Sequence, residues 1–270
     1  MFIYTCSMMR TGVLQGSFDV VDLSATIETS PPEVPAWQRT DIVYSSHADG
    51  AHEMQERWGI PSSLLRNGEG PALERFAQLI THNSTHVDAP YHYNSEIQGR
   101  PATTIDELPV DWFIGPGVVI EATGRADGDA VTVDDVQAGL RDAAHELQPG
   151  DIVLVRTGCD EFYQRPDYPA HGPGVSPEAT LWLCDQGVRV MGIDAWGWDA
   201  PIDKQAERAI PDNLTGVVWG AHQIDREYAQ IERMVNLGGL PLTGFTVICL
   251  PLKVYRGSAG PTRAVAIVPS

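Results

Sequence analysis

SPEATLWLCDQGVRVMGIDAW, residues 176–196, is the stretch whose reading decides the fold. Ser176 stands where an N-cap belongs, Pro177 at the first helical position and Glu178 in the first turn, and Gly187 closes the run. Those signals mark both ends of a helix. VRVMGIDAW then reads as a buried strand that ends in a turn. Working outward, GDIVLVRTG (150–158) is a second buried strand, preceded by VTVDDVQAGLRDAAHELQ (131–148), a helix capped at Thr132. GPGVVIEA (115–122) is a glycine-bounded β-branched run. Strands alternate with helices, and several strands are apolar on both faces. The expectation is a single α/β domain whose sheet is covered by helices.

The flanks are consistent with that plan. Residues 1–18 read as a loose extension, and 19–270 as the domain, opened by the strand FDVVDLSATI (18–27). ETSPPEVPAWQRTD (28–41) should run as an extended loop. AHEMQERWG (51–59) and PALERFAQLI (71–80) carry helix formers, although the second can end as a strand. FTVICLPLKV (245–254) and TRAVAIVP (262–269) are strands split by the loop YRGSAGP (255–261). There are no repeats and no long linker.

The 270 residues are 43% hydrophobic and 20% charged, ordinary for a globular chain. A net charge of −18 repels phosphate backbones and anionic membranes, so neither nucleic acid nor membrane is an expected partner. Cys6, Cys159, Cys184 and Cys249 form no close pair and call for no disulfide. MFIYTCSMMR lacks a basic secretory n-region, and no apolar run approaches the ~18 residues needed to span a bilayer. A cytoplasmic location is the expectation.

Chemistry concentrates in THNSTHVDAPYHY, residues 81–93, which places His82, His86, Asp88 and His92 on even-numbered positions. In an extended chain these share one face. Pro90 and the Asn, Ser and Thr residues argue against a helix. Full extension, however, holds His82 and His86 about 13 Å apart, too far for one ion. The chain must therefore bend at Asn83–Ser84. Imidazole and carboxylate are the side chains that ligate divalent metals and move protons near neutral pH.

His82-x-x-Thr85-His86-x-Asp88-x-Pro90-x-His92 resembles the H-x-G-T-H-x-D-x-P-x-H signature of the metal-dependent cyclase family, which contains kynurenine formamidases and isatin hydrolases. VVDLSATI, LQPGDIVLVRTG, GVSPEATLWLCDQGVRVMGIDA, IERMVNLGGLP and CLPLKVYRGSAGPTRAVAI resemble further segments of the family in the same order. Ser84 departs from the pattern, standing at the family's glycine.

The resemblance implies a swivelling β/β/α domain with a mixed sheet, assembled as a homodimer or homotetramer. It implies His82, His86 and Asp88 as ligands of a divalent ion, zinc or manganese, with His92 left to move a proton. Where family members hold two ions, the aspartate bridges, and a histidine and a glutamate join it. Here those are His222 in WGAHQIDRE and Glu232 in QIERMVNL, on a shorter separation than in the family. Gln223 can supply an oxygen in a one-ion site. The implied activity is hydrolysis of a small amide, lactam or lactone, with an aromatic or cyclic amide as substrate. Cyclisation or dehydration of a polyketide is the alternative implied by other members, and a metal-free binding protein is the non-enzymatic one. Asp194, Trp196, Trp198 and Asp199 follow a buried strand, where sites of open α/β sheets form. Trp196 and Trp198 can wall an aromatic pocket or simply pack. His47, His52, His145 and His171 read as solvated.

Overall fold

The computed structural model describes residues 16–270. Cys6 and most of the expected extension lie outside them. The chain forms two compact units, one from residues up to Ala25 together with Ser84–Ser270, the other from Thr26–Asn83.

A nine-stranded mixed sheet organises the larger unit. In spatial order its strands are Phe18–Asp22, Val265–Pro269, Phe245–Ile248, Ile114–Glu121, Ile152–Arg156, Val190–Ile193, Ala229–Glu232, His86–Asp88 and Ala259–Pro261. The central pairings from Ile114–Glu121 through Ala229–Glu232 are parallel and the flanking ones antiparallel. Alternation along the strands divides the core in two. Val118, Ile120, Val153, Val155, Met191 and Ile193 face one side, while Val119, Ile152, Leu154 and Val190 face the other. Two helices cover the first side, Val133–Asp142 through Val136 and Leu140, and Pro177–Asp185 through Ala179 and Leu183. Each fully buried Val, Leu, Ile or Met side chain among these contributes roughly 1.5–3 kcal/mol. Where Phe245 lies opposite Gly117, a Cβ on the glycine would come within 2.1 Å of the phenyl ring, so only glycine fits there.

Both expected caps are present. The Ser176 side chain accepts from Ala179 N, and Thr132 with Asp135 forms a capping box. Gly187 is left-handed at φ +92°. The expected α/β sheet covered by helices is thus found. Two local readings need correction, and one helix was not anticipated. PALERFAQLI forms a strand, Leu73–Gln78, because pairing with Asp41–Ser45 in the smaller unit outweighs helix propensity. YRGSAGP contains the edge strand Ala259–Pro261, and the helix Ile202–Ala209 lies in a segment given no element from sequence. The smaller unit also holds the helix His47–Trp58 where AHEMQERWG was expected to be helical.

Candidate metal centre and active site

His86–Asp88 is the strand on which the site is built. It runs between Ala229–Glu232 and Ala259–Pro261, with Glu232 opposite His86 and Gln230 opposite Asp88. The period of two turns Val87 into the apolar core and puts His86, Asp88, Gln230 and Glu232 on the other face. The extended reading of the motif ends there. Pro90–Tyr93 is one helical turn with Pro90 at its first position, where a missing N–H costs nothing. Helical spacing then places His92 Nε2 4.0 Å from Asp88 Oδ2.

The bend before the strand is at Ser84, left-handed at φ +55°, with its Oγ donating to Ala25 O at 2.8 Å. Ser84 thus takes up a left-handed conformation that glycine adopts more readily than a residue with a side chain. His82 belongs to the closing turn of the 26–83 unit and is partly buried.

His86 Nε2 lies 3.1 Å from Asp88 Oδ1 and 3.7 Å from Glu232 Oε2. His222 Nε2 lies 3.5 Å from Glu232 Oε1. All four side chains are buried. The far nitrogen of each ring is anchored, His86 Nδ1 2.9 Å from Ser84 O and His222 Nδ1 2.5 Å from Asp199 Oδ2. Carbonyl and carboxylate oxygens only accept, so each Nδ1 carries a hydrogen and each neutral ring turns its Nε2 lone pair towards the carboxylates. That arrangement is repulsive unless a proton or a metal cation sits between them. Held imidazoles with inward lone pairs are what a metal ligand needs. Gln230 Oε1, buried on the same face as Asp88, has no hydrogen-bond partner among the described residues. The donor set of His86, Asp88 and Glu232, with ligand atoms within 4.8 Å of one another, fits a divalent ion.

Electrostatics agree. Burial lowers the pKa of His222, but hydrogen bonds to Asp199 and Glu232 and the charges of both carry it up to about 10. Burial and the Asp88 charge push Glu232 up, yet His222 and His86 bring it below the ordinary carboxylate value. Both shifts report strong demand for positive charge among these carboxylates. Beneath the site, Gln230 Nε2 donates to Tyr228 Oη at 2.7 Å, and Tyr228 Oη donates to Ala221 O at 2.8 Å. Burial raises the phenols of Tyr93 and Tyr228 well above their usual value, so both stay protonated and act as fixed donors.

The structure brings His86, Asp88, His92, His222 and Glu232 together. His222 is no surface histidine. Gln223, the alternative oxygen ligand, is exposed, and the buried amide nearest Asp88 in register is Gln230. Asp199 is the anchor of His222 and also accepts from Ala221 N and His222 N. Asp194 braces a turn, taking hydrogen bonds from Thr157 N, Thr157 Oγ1 and Gly158 N. Trp198 is core, fully buried with Nε1 donating to Thr180 Oγ1. Trp219 went unremarked in the sequence. Its ring stacks on His222 at 5.1 Å and lies 5.3 Å from His92, an aromatic wall beside a site histidine whose side chain is partly exposed. His145 and His171 are not merely solvated, for they contact Asp151 and the pair Asp127 and Asp167. A cavity of about 570 Å³ at the N-terminal ends of the two covering helices touches this assembly through Asp199 alone.

A family model described as "Putative cyclase" matches residues 21–200. The chain belongs to this cyclase family. It is 27% identical over 278 residues to isatin hydrolase of Roseibium aggregatum, covering 95% of this chain and 94% of that one. It is 32% identical over 225 residues to kynurenine formamidase of Salinibacter ruber, covering 80% and 88%. Among solved structures, isatin hydrolase A from Labrenzia aggregata bound to benzyl benzoate superposes with a TM-score of 0.72 at 26% identity, over 94% of both chains. Among the described residues no helix is long and apolar enough to cross a membrane.

Proposed function

We propose that this cyclase-family member is a metal-dependent hydrolase of the C–N bond in small amides, with aromatic or cyclic amides as substrates. The observation that carries the reading is the convergence of His86 Nε2, His222 Nε2, Asp88 and Glu232, each imidazole held by its Nδ1. We assign His82, His86, Asp88, His222 and Glu232 as ligands of one or two zinc or manganese ions. The left-handed turn at Ser84 supports the assignment, since the spacing of His82 and His86 calls for a bend there. A bound divalent ion supplies a water of lowered pKa and polarises a carbonyl oxygen.

The chain's own groups do the rest. His92 Nε2, on a side chain 21% exposed and 4.0 Å from Asp88, takes the proton of the attacking water. It then delivers that proton to the departing nitrogen. Asp88 stabilises the imidazolium formed in between. Trp219 gives a ring face against which an aryl amide can stack. The names of the two relatives, an isatin hydrolase and a kynurenine formamidase, support amide cleavage over polyketide cyclisation.

Homo-oligomer formation is part of the proposal. All six residues of Leu73–Gln78 are exposed, Phe76 included, and a two-stranded ribbon of this kind has little stability uncovered.

Elemental analysis of protein purified without chelator, paired with formanilide and isatin turnover, tests the reading. About two metal equivalents place His222 and Glu232 around a second ion; about one leaves a single centre. Failure to bind zinc or manganese on reconstitution would remove the hydrolase and favour a metal-free binding protein. Turnover of a poly-β-keto chain without water incorporation would favour the cyclase.

A further inference from the structure

We propose that Arg233 recognises a carboxylate on the substrate and is a specificity-determining residue of the hydrolase. The inference rests on the functional reading above. Arg233 follows Glu232 directly and is only 9% exposed. Arg57, Arg125, Arg156, Arg165, Arg226 and Arg263 are more exposed, and each holds a carboxylate. Arg233 holds none within 4.0 Å among the described residues. Burying a guanidinium without an anion is costly, and the cost is recovered when a ligand brings the anion.

The side chain is set for that task. Its guanidinium carbon lies 4.8 Å from the centre of the Trp196 ring, and Nε donates to Trp196 O at 3.2 Å. Ring and carbonyl fix the guanidinium, and its two terminal nitrogens remain to meet a planar carboxylate side by side. The backbone is committed too. Arg233 is left-handed at φ +57°, its N–H donates to Ala195 O at 3.1 Å, and its carbonyl accepts from Thr85 Oγ1 at 2.6 Å. A side-chain-bearing residue persists in this conformation only where its surroundings hold it there.

Position links the guanidinium to the chemistry. The Glu232 carboxylate accepts from Trp198 N, so successive residues Glu232 and Arg233 grip the same loop at Trp198 and Trp196. A substrate carboxylate approaching Asp88 and Glu232 unaided is repelled. Arg233 offers it a positive partner on the Trp196 side.

The test uses metal-loaded wild type, Arg233→Gln and Arg233→Lys, each checked for folding by thermal melting. Benzoate binding is measured by calorimetry, and kcat/KM is measured for 2-formamidobenzoate and for formanilide, which lacks the carboxylate. Expected for Arg233→Gln are a benzoate affinity at least about 10-fold weaker and a 2-formamidobenzoate-to-formanilide ratio reduced about 10- to 100-fold. Arg233→Lys, which keeps the charge but loses the fork, should fall between, and it decides alone if Arg233→Gln does not fold. Unchanged benzoate affinity, or an unchanged ratio, in a folded variant overturns the assignment. Absence of formanilide turnover in wild type strikes the hydrolase reading instead, and the benzoate comparison still decides the carboxylate site.

Discussion

Asp199 holds His222 by its Nδ1, 2.5 Å from carboxylate to ring, across 23 positions of sequence. The contact fixes which nitrogen bears the hydrogen and aims Nε2 at Glu232. Asp199→Asn keeps the shape but can offer an N–H where an acceptor is needed, turning the ring to the wrong tautomer. On the proposed ligand assignment, affinity for the ion that His222 would hold should fall about 10- to 100-fold, the usual cost of losing a partner that orients a ligand. Calorimetric titration of chelator-stripped protein with zinc or manganese reads this directly. An unaltered isotherm would take His222 out of the ligand set.

His92 and Asp88 should separate under mutation although their atoms lie 4.0 Å apart. His92→Ala should keep its metal and lose about 10²- to 10⁴-fold in kcat, the range for a general acid–base group. Asp88→Ala should lose the metal itself. Metal content and kcat measured on both variants decide the roles. Near-normal turnover without His92, or full metal without Asp88, would each break one assignment.

Ser84 allows the bend to be weighed. Glycine at this position relieves the left-handed φ of +55°, about 1 kcal/mol, and gives up the 2.8 Å hydrogen bond to Ala25 O, worth about the same. Ser84→Gly should therefore melt in denaturant almost where the wild type does. Ser84→Val adds a β-branched side chain in that conformation and loses the bond, and should cost at least about 2 kcal/mol. Equal midpoints for all three proteins would mean that the turn is not the constraint it is taken to be.

Local signals explain why some of this was legible in the chain. The Ser176 and Thr132 caps, the apolar runs of the central strands and the even spacing of His86 and Asp88 depend on residues close in sequence, and each appears where expected. What escaped depends on distant partners. Leu73–Gln78 carries helix formers and becomes a strand only through pairing with Asp41–Ser45. His92 leaves the extended face because Pro90 starts a helical turn instead of preventing one. Trp219 and Arg233 bear no motif of their own. Their roles come from His222 and Trp196, brought near by the fold, and a left-handed φ at both residues has no signature in their side chains.

Asp194 sets a pH dependence whose sign differs from that of the usual carboxylate. Burial pushes its carboxyl from 3.8 up to about 6, against the pull of hydrogen bonds from Thr157 and Gly158. A carboxyl raised in the folded state is protonated there at pH values where the unfolded chain has already ionised. Its ionisation therefore opposes folding above about pH 6. As pH falls from about 6 to 3.8 the folded state takes up a proton that the unfolded state does not, and this group adds stability on the order of 3 kcal/mol. Urea unfolding of wild type and Asp194→Asn between about pH 7 and pH 4 isolates the contribution, because the other titrations cancel in the difference. The difference should move in favour of the wild type as pH falls through about 6. A difference that stays flat there and moves only below about 4 would show that the Thr157 and Gly158 donors outweigh burial and keep Asp194 charged.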